Sequence, residues 1–395
     1  MSRNCPHTDN AMRVTLLLLM CLLGVFPLDV ILPSFPAIAS SFHVATSSVA
    51  YSVSLFAIGV ALSQLFIGPL SDAIGRKRLL LVGLLISALG ATGCLLSSNF
   101  EAFIFFRLLQ AIGCGCFVLS HALVQDLYTG KQQNNMRILL TGASGVFISL
   151  SPLAGSILQH HFNWQGSFIL FTVLSACCAL ITVIFLQEKA GNFSPRGTLS
   201  SYQVLMKDSG FLTLTSFSCL AFTCHFSFIV SSPLLFMDRL GLSAKTFGLV
   251  FTGYGLTYVL GGVVAHWLNE RIPPRKQIGL GFTLIGASGI ASFIWGLLAG
   301  PSIASTLLPM IICTMGITII RPTATTQALA RHPTRAGAAA ALNNTLLFAC
   351  AGLASALIAA TGSLLSVTLA ASFILTGFLG WVMLARMPQL GEETH

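Results

Sequence analysis

The sequence predicts an all-α polytopic membrane protein whose twelve transmembrane helices divide six and six. Only 8% of its 395 residues are charged and 55% are hydrophobic, whereas a soluble domain carries about a quarter charged residues. Apolar runs of about 20 residues, each able to cross a hydrocarbon core of roughly 30 Å as a helix, recur along nearly the whole chain. The basic residues gather at alternate ends of those runs.

Span 1, expected at 12–34, begins at Arg13 and contains Asp29. Together with Ala37-Ile38-Ala39 it looks like a signal peptide, but the run is too long for an ordinary h-region and carries an acid and prolines, so an uncleaved helix is expected. Span 2, 49–70, is interrupted by Gly68-Pro69, and span 3, 78–98, starts at the Arg76-Lys77-Arg78 cluster. Span 4, 101–124, contains Arg107 and Cys114-Gly115-Cys116, the latter a close-packing element. Span 5, 137–159, holds Pro152, and Gln159-His160-His161 lead to span 6, 165–187. Residues 188–209 are polar and carry both signs of charge, so they read as a linker between an N-terminal half, 1–187, and a C-terminal half, 210–395. The second half supplies spans at 210–233, 246–268, 277–299, 302–325, 337–360 and 364–386.

Placing the amino terminus in the cytoplasm leaves only Arg239 and Lys245 outside and Arg107 and Arg321 within spans; the other sixteen basic residues lie inside. Both termini are then cytoplasmic, and the net charge of +9 is a topology signal rather than a nucleic-acid footprint. The eleven cysteines include no C-x-x-C, and all but Cys5 fall inside spans, so neither disulfides, a metal site nor a cofactor is expected.

The segment GPLSDAIGRKR, 68–78, puts an acid beside the basic cluster. Positive-inside anchoring accounts for the basic residues but not for Asp72. Gly68, Leu70, Asp72, Gly75, Arg76, Lys77 and Arg78 resemble the cytoplasmic signature of the major facilitator superfamily. The resemblance implies two six-helix bundles around a mid-depth cavity. It also implies a latch in which Asp72 meets the amino-terminal end of span 11 and Arg76 pairs with Asp126. GGVVAHWLNERIPPRK after span 8 is a weaker echo of the same motif.

Ionisable groups at membrane depth are costly and therefore functional candidates. Asp29 and Arg107 fall at similar depths by helix rise, so an ion pair between spans 1 and 4 is geometrically possible, with Asp29 as the expected protonation site and Arg107 as its electrostatic partner. A carboxylate facing a cavity can take a proton from one side and release it to the other; a buried structural pair is the alternative. Asp29 with Leu32-Pro33 and Pro36, and F-R-L-L-Q-A-I-G-C-G at 106–115, resemble drug/proton antiporters of the bicyclomycin and chloramphenicol resistance type, with Arg107, Gln110, Gly113 and Gly115 on the motif. Pro152 and Gly155 match part of the antiporter element of span 5; there Pro152 would kink the helix while Gly142, Gly145 and Gly155 permit close approach. Gln125 departs from the pattern, where a basic residue is usual.

Arg321 departs from it as well, and two readings stand: snorkelling to phosphates, or contact with an anionic substrate in the cavity. His121 and His225 could relay protons or be satisfied within the helix packing. Phe222 and Phe226 flank His225 as cavity or packing residues, and the expected substrate cavity is lined by these three with Arg107, Gln110 and Arg321. No H-E-x-x-H, nucleophile elbow or phosphate loop supports an enzyme, and no sizeable soluble domain supports a sensor. The expectation is a monomeric, proton-coupled exporter of a drug-like small molecule or metabolite, surrounded by lipid in a bacterial inner membrane. The alternative cargo is an acidic metabolite such as a carboxylate siderophore.

Overall fold

The computed structural model describes residues 6–187, 195–300 and 302–387. It contains twelve helices long and apolar enough to cross a membrane: Ala11–Phe42, Thr46–Gly68, Arg76–Leu96, Phe100–Leu127, Gly130–Phe162 and Gln165–Phe185 in the first half, then Ser209–Arg239, Ala244–Asn269, Pro274–Ala299, Ile303–Ala330, Pro333–Ala359 and Gly362–Arg386. No strand occurs among the described residues.

Spans 1 and 7 run past the ends expected from their apolar runs, and each changes winding near one end. Span 1 is helical over Pro6–Asp29, tightens to a 3-10 turn at Leu32–Ser34 and resumes at Phe35–Phe42. Pro33 and Pro36 lack the N–H groups that an uninterrupted α-helix would use there. Span 7 runs as an α-helix to Pro233 and continues as a wider π turn over Leu234–Arg239. The Leu32–Ser34 turn packs on spans 5, 7 and 8, so the irregular backbone is covered by protein.

Span 3 packs on spans 4 and 6, and span 9 packs on spans 10 and 12. Small residues make this possible: a Cβ on Gly113 would lie 2.3 Å from the Ser87 nitrogen, and one on Gly316 would lie 2.5 Å from the Gly281 carbonyl oxygen. The halves meet where span 2 lies along span 11 and span 5 along span 8. Ser54 and Ser355 share a 2.8 Å hydrogen bond across the first of these seams. Span 7 is enclosed, with 89% of its apolar window buried, whereas span 9 has 22% and turns its remaining side chains outward.

Within the linker, Pro195–Lys207 is helical; residues 188–194 lie outside the described residues. The Tyr202 hydroxyl donates to the Leu65 carbonyl of span 2 at 3.2 Å. At the other end Asp208 caps span 7 by accepting from the Gly210 amide at 2.9 Å. It also accepts two hydrogen bonds from Arg331, at 2.9 and 3.2 Å, and lies 2.8 Å from His332 Nε2. Burial works to raise the Asp208 pKa, but hydrogen bonds from Arg331, the Phe211 backbone and His332, with the charge of Arg331, hold it at about 2. The linker helix is thus fastened to span 2 of one half and to the loop between spans 10 and 11 of the other.

Candidate functional site

Arg107 is buried in the N-terminal half, 2% exposed, and two of its five N–H donors are bonded there. Nη1 donates to Gln110 Oε1 at 2.7 Å, one turn on in span 4, and Nη2 donates to the Pro27 carbonyl of span 1 at 3.2 Å. That carbonyl lies in the last turn of the helical stretch ending at Asp29, where backbone oxygens lack regular partners within the helix and accept from outside it. Phe56 of span 2 and Phe168 of span 6 cover the guanidinium at 4.3 and 5.7 Å. The Nε atom has no partner among the described residues, and beside the guanidinium lies a void of about 10 Å³ lined by Pro27, Val30, Ile31, Gln110, Ser167 and Phe171. That is close to the least space that admits one water. Arg107 and Gln110, expected on a substrate cavity, therefore line a space far too small for a substrate in this conformation.

The expected ion pair with Asp29 is not formed. Asp29 is 5% exposed and takes part in no hydrogen bond or ion pair among the described residues. The reason is azimuth rather than depth. Pro27, Val30 and Ile31 face the Arg107 void, and at about 100° per residue Asp29 points to nearly the opposite side of the helix. On that side lies the C-terminal half, where the Tyr254 hydroxyl is within electrostatic reach of the carboxyl.

The C-terminal half presents a chain of polar groups that the sequence does not single out as a unit. Tyr254 of span 8 lies 2.9 Å from His225 Nδ1 of span 7 and 2.9 Å from Thr314 Oγ1 of span 10. One turn further along span 8, the Tyr258 ring is 5.0 Å from that of His225, and its hydroxyl accepts from Arg321 Nη1 at 2.8 Å. The Arg321 guanidinium lies 4.5 Å over the Phe222 ring, which contacts Phe226 and Phe348 at 5.8 and 5.3 Å. Arg321 is therefore held between spans 7 and 8, and snorkelling does not describe it. Phe222, His225 and Phe226 are buried, so of the expected cavity residues in this half Arg321, half-buried, is the accessible one. The side chain of His121 lies outside the described residues.

At the linker end Arg76 binds Asp126 at 2.7 Å and also donates to the Ala122 carbonyl, so span 3 is pinned to span 4 despite Gln125. Gly75 joins spans 2 and 3 at φ 93°, a conformation that favours glycine. The Asp72 side chain lies outside the described residues. Span 5 stays helical through Pro152 from Gly130 to Phe162. Gly155 is the close approach: a Cβ there would sit 2.1 Å from the Val30 carbonyl oxygen, next to Asp29. Among the described residues Gly142 has nothing within 4 Å and Gly145 only an ordinary contact with Val259, so the expected close packing is confined to Gly155. No group of three or more potential metal ligands occurs among the described residues.

Residues 17–356 match the family model described as Major Facilitator Superfamily. The chain belongs to the major facilitator superfamily. Among relatives, the multidrug transporter MdfA of Edwardsiella ictaluri (strain 93-146) is 29% identical over 277 residues, covering 67% of this chain and 66% of the relative. A chloramphenicol resistance protein of Pseudomonas aeruginosa is 26% identical over 304 residues, covering 75% and 71%. Among solved structures, a bacterial homologue of the human lysosomal transporter Spinster, inward-facing and occupied, superposes with a TM-score of 0.74 at 16% identity over 97% of this chain and 96% of that one. The protein is a multi-pass membrane protein with the superfamily's two six-helix bundles.

Proposed function

We propose that the protein is a proton-coupled exporter of drug-like small molecules, working as a monomer in a bacterial inner membrane with both termini in the cytoplasm. The relatives' names favour drug-like compounds over an acidic metabolite. The distribution of basic residues favours the linker end as the cytoplasmic one.

The observation that carries the coupling is the setting of Asp29. It is a buried acid at membrane depth, without an ion pair among the described residues, on the face of span 1 turned toward the other bundle. When the bundles rock, the groups opposite its carboxyl change, and so does the free energy of its charged form. Arg107 acts indirectly. By holding the Pro27 carbonyl it fixes the azimuth at which span 1 presents Asp29. Arg76 and Asp126, with Gly75 and Asp72, serve as the conformational latch at the linker end. Gly155 lets span 5 lie against span 1 and keeps that helix in place, and Pro152, three residues earlier, serves as the bending point of span 5.

An imposed pH gradient across proteoliposomes tests the reading. Wild-type protein drives chloramphenicol uphill, and Asp29→Asn allows only downhill movement. Uphill transport by Asp29→Asn at the wild-type rate would exclude Asp29 as the coupling group.

A further inference from the structure

Two arginines lie well inside the membrane-spanning helices, and they differ in whether their unbonded donors are buried or open. Arg107 is sealed between Gln110, the Pro27 carbonyl and two rings. Arg321 has given one N–H to Tyr258 and one face to Phe222. Its remaining donors have no partner among the described residues, and they are not sealed from solvent. Among those residues no carboxylate lies within 4 Å of it.

Span 10 aims Arg321 inward. Thr314, Thr318, Arg321 and Thr325 recur at helical spacing on one face, where Thr314 meets Tyr254, Thr318 abuts Gly261 of span 8 and Thr325 meets Ser218 of span 7. The opposite face packs on span 9 through Gly316 and Ile320. A guanidinium fork with open donors therefore faces the interior side of spans 7 and 8, beside the seam where span 8 meets the other bundle.

We propose that Arg321 is a specificity residue that selects drug-like substrates carrying a planar two-oxygen acceptor, a nitro or carboxylate group, and rejects lipophilic cations. With Phe222 covering one face, an acceptor reaches the guanidinium in its plane. A planar pair of oxygens matches two parallel N–H groups there. The same fixed charge, with no neutralising acid beside it among the described residues, repels a cationic compound at that place. Lys cannot reproduce the fork, although it keeps the charge.

This inference rests on the drug-export reading but not on proton coupling, because binding can be measured without a gradient. Equilibrium binding of chloramphenicol (nitro), diclofenac (carboxylate) and tetraphenylphosphonium (cation) is measured on the purified full chain. The wild type is expected to bind at least one acceptor compound more tightly than the cation. Arg321→Gln weakens that compound by about tenfold or more, as expected for loss of hydrogen bonds to a charged group, while cation binding holds or improves. Arg321→Lys weakens the acceptor compound yet still rejects the cation. Selective loss of chloramphenicol or of diclofenac identifies which acceptor is recognised. Equal weakening of all three compounds, no effect on any, or wild-type preference for the cation would overturn the proposal. If Asp29→Asn still pumps uphill while this binding pattern holds, the coupling reading fails and the specificity assignment stands.

Discussion

Replacing Gly155 with alanine adds one methyl group at the point where span 5 crosses span 1. The new carbon would start 2.1 Å from the Val30 carbonyl oxygen and 2.9 Å from its carbonyl carbon. Ordinary contact lies at about 3.5 Å, so the two helices must part by roughly 1 Å or more. The obstacle is backbone, which cannot rotate away as a side-chain tip can. The cost should fall in the upper part of the overpacking range, about 2–3 kcal/mol. The displaced residue adjoins Asp29, so the carboxyl moves with it. Gly142→Ala is the matched control on the same helix, with nothing among the described residues within 4 Å of its new carbon. There the better helix propensity of alanine should be neutral or stabilising by up to about 1 kcal/mol. Thermal unfolding of the purified variants in detergent should show a clear drop for Gly155→Ala and none for Gly142→Ala. Reconstituted Gly155→Ala should also lose transport. Equal melting temperatures with full activity for both would mean that spans 1 and 5 do not cross as described.

Arg76→Ala and Asp126→Asn remove the same 2.7 Å ion pair, so each alone should alter the accessibility of cysteines introduced at the linker end, and the double variant should add little. Additive effects would show that the two groups act separately. Asp208→Asn removes the anion that accepts from Arg331 and should destabilise the protein by about 1 kcal/mol. Because the folded-state pKa is depressed to about 2, the contribution of Asp208 is fully present above the ordinary carboxylate value near 4 and is lost as the pH falls through about 2. The stability gap between wild type and Asp208→Asn should therefore not shrink from pH 8 to pH 5; a shrinking gap would contradict the assignment.

The twelve spans are legible in the sequence because a bilayer demands about 20 apolar residues per crossing, a signal that needs no tertiary information. The irregular ends of spans 1 and 7 are less so, since other helices cover them. The Arg76–Asp126 pair can be anticipated from a motif whose residues lie in short connections. The expected Asp29–Arg107 pairing fails because rise per residue gives depth, whereas partnership depends on azimuth; the spacing of Pro27, Val30 and Ile31 around Asp29 becomes informative only once one face is known to meet Arg107. Tyr254, Tyr258 and Thr314 escape a reading of the sequence. Each is an ordinary neutral residue in its own span, and only the approach of spans 7, 8 and 10 joins them to His225 and Arg321. The spacing of Tyr254 and Tyr258, four apart on one face of span 8, is the available hint.

Substrate and proton are expected to compete through the carboxyl of Asp29. Adding a saturating amount of chloramphenicol to weakly buffered, detergent-solubilised protein, with a pH-sensitive dye in solution, measures this competition. The wild type should release protons on binding, and Asp29→Asn should bind the compound without releasing any. Proton release by Asp29→Asn equal to that of the wild type would place the exchange at another group.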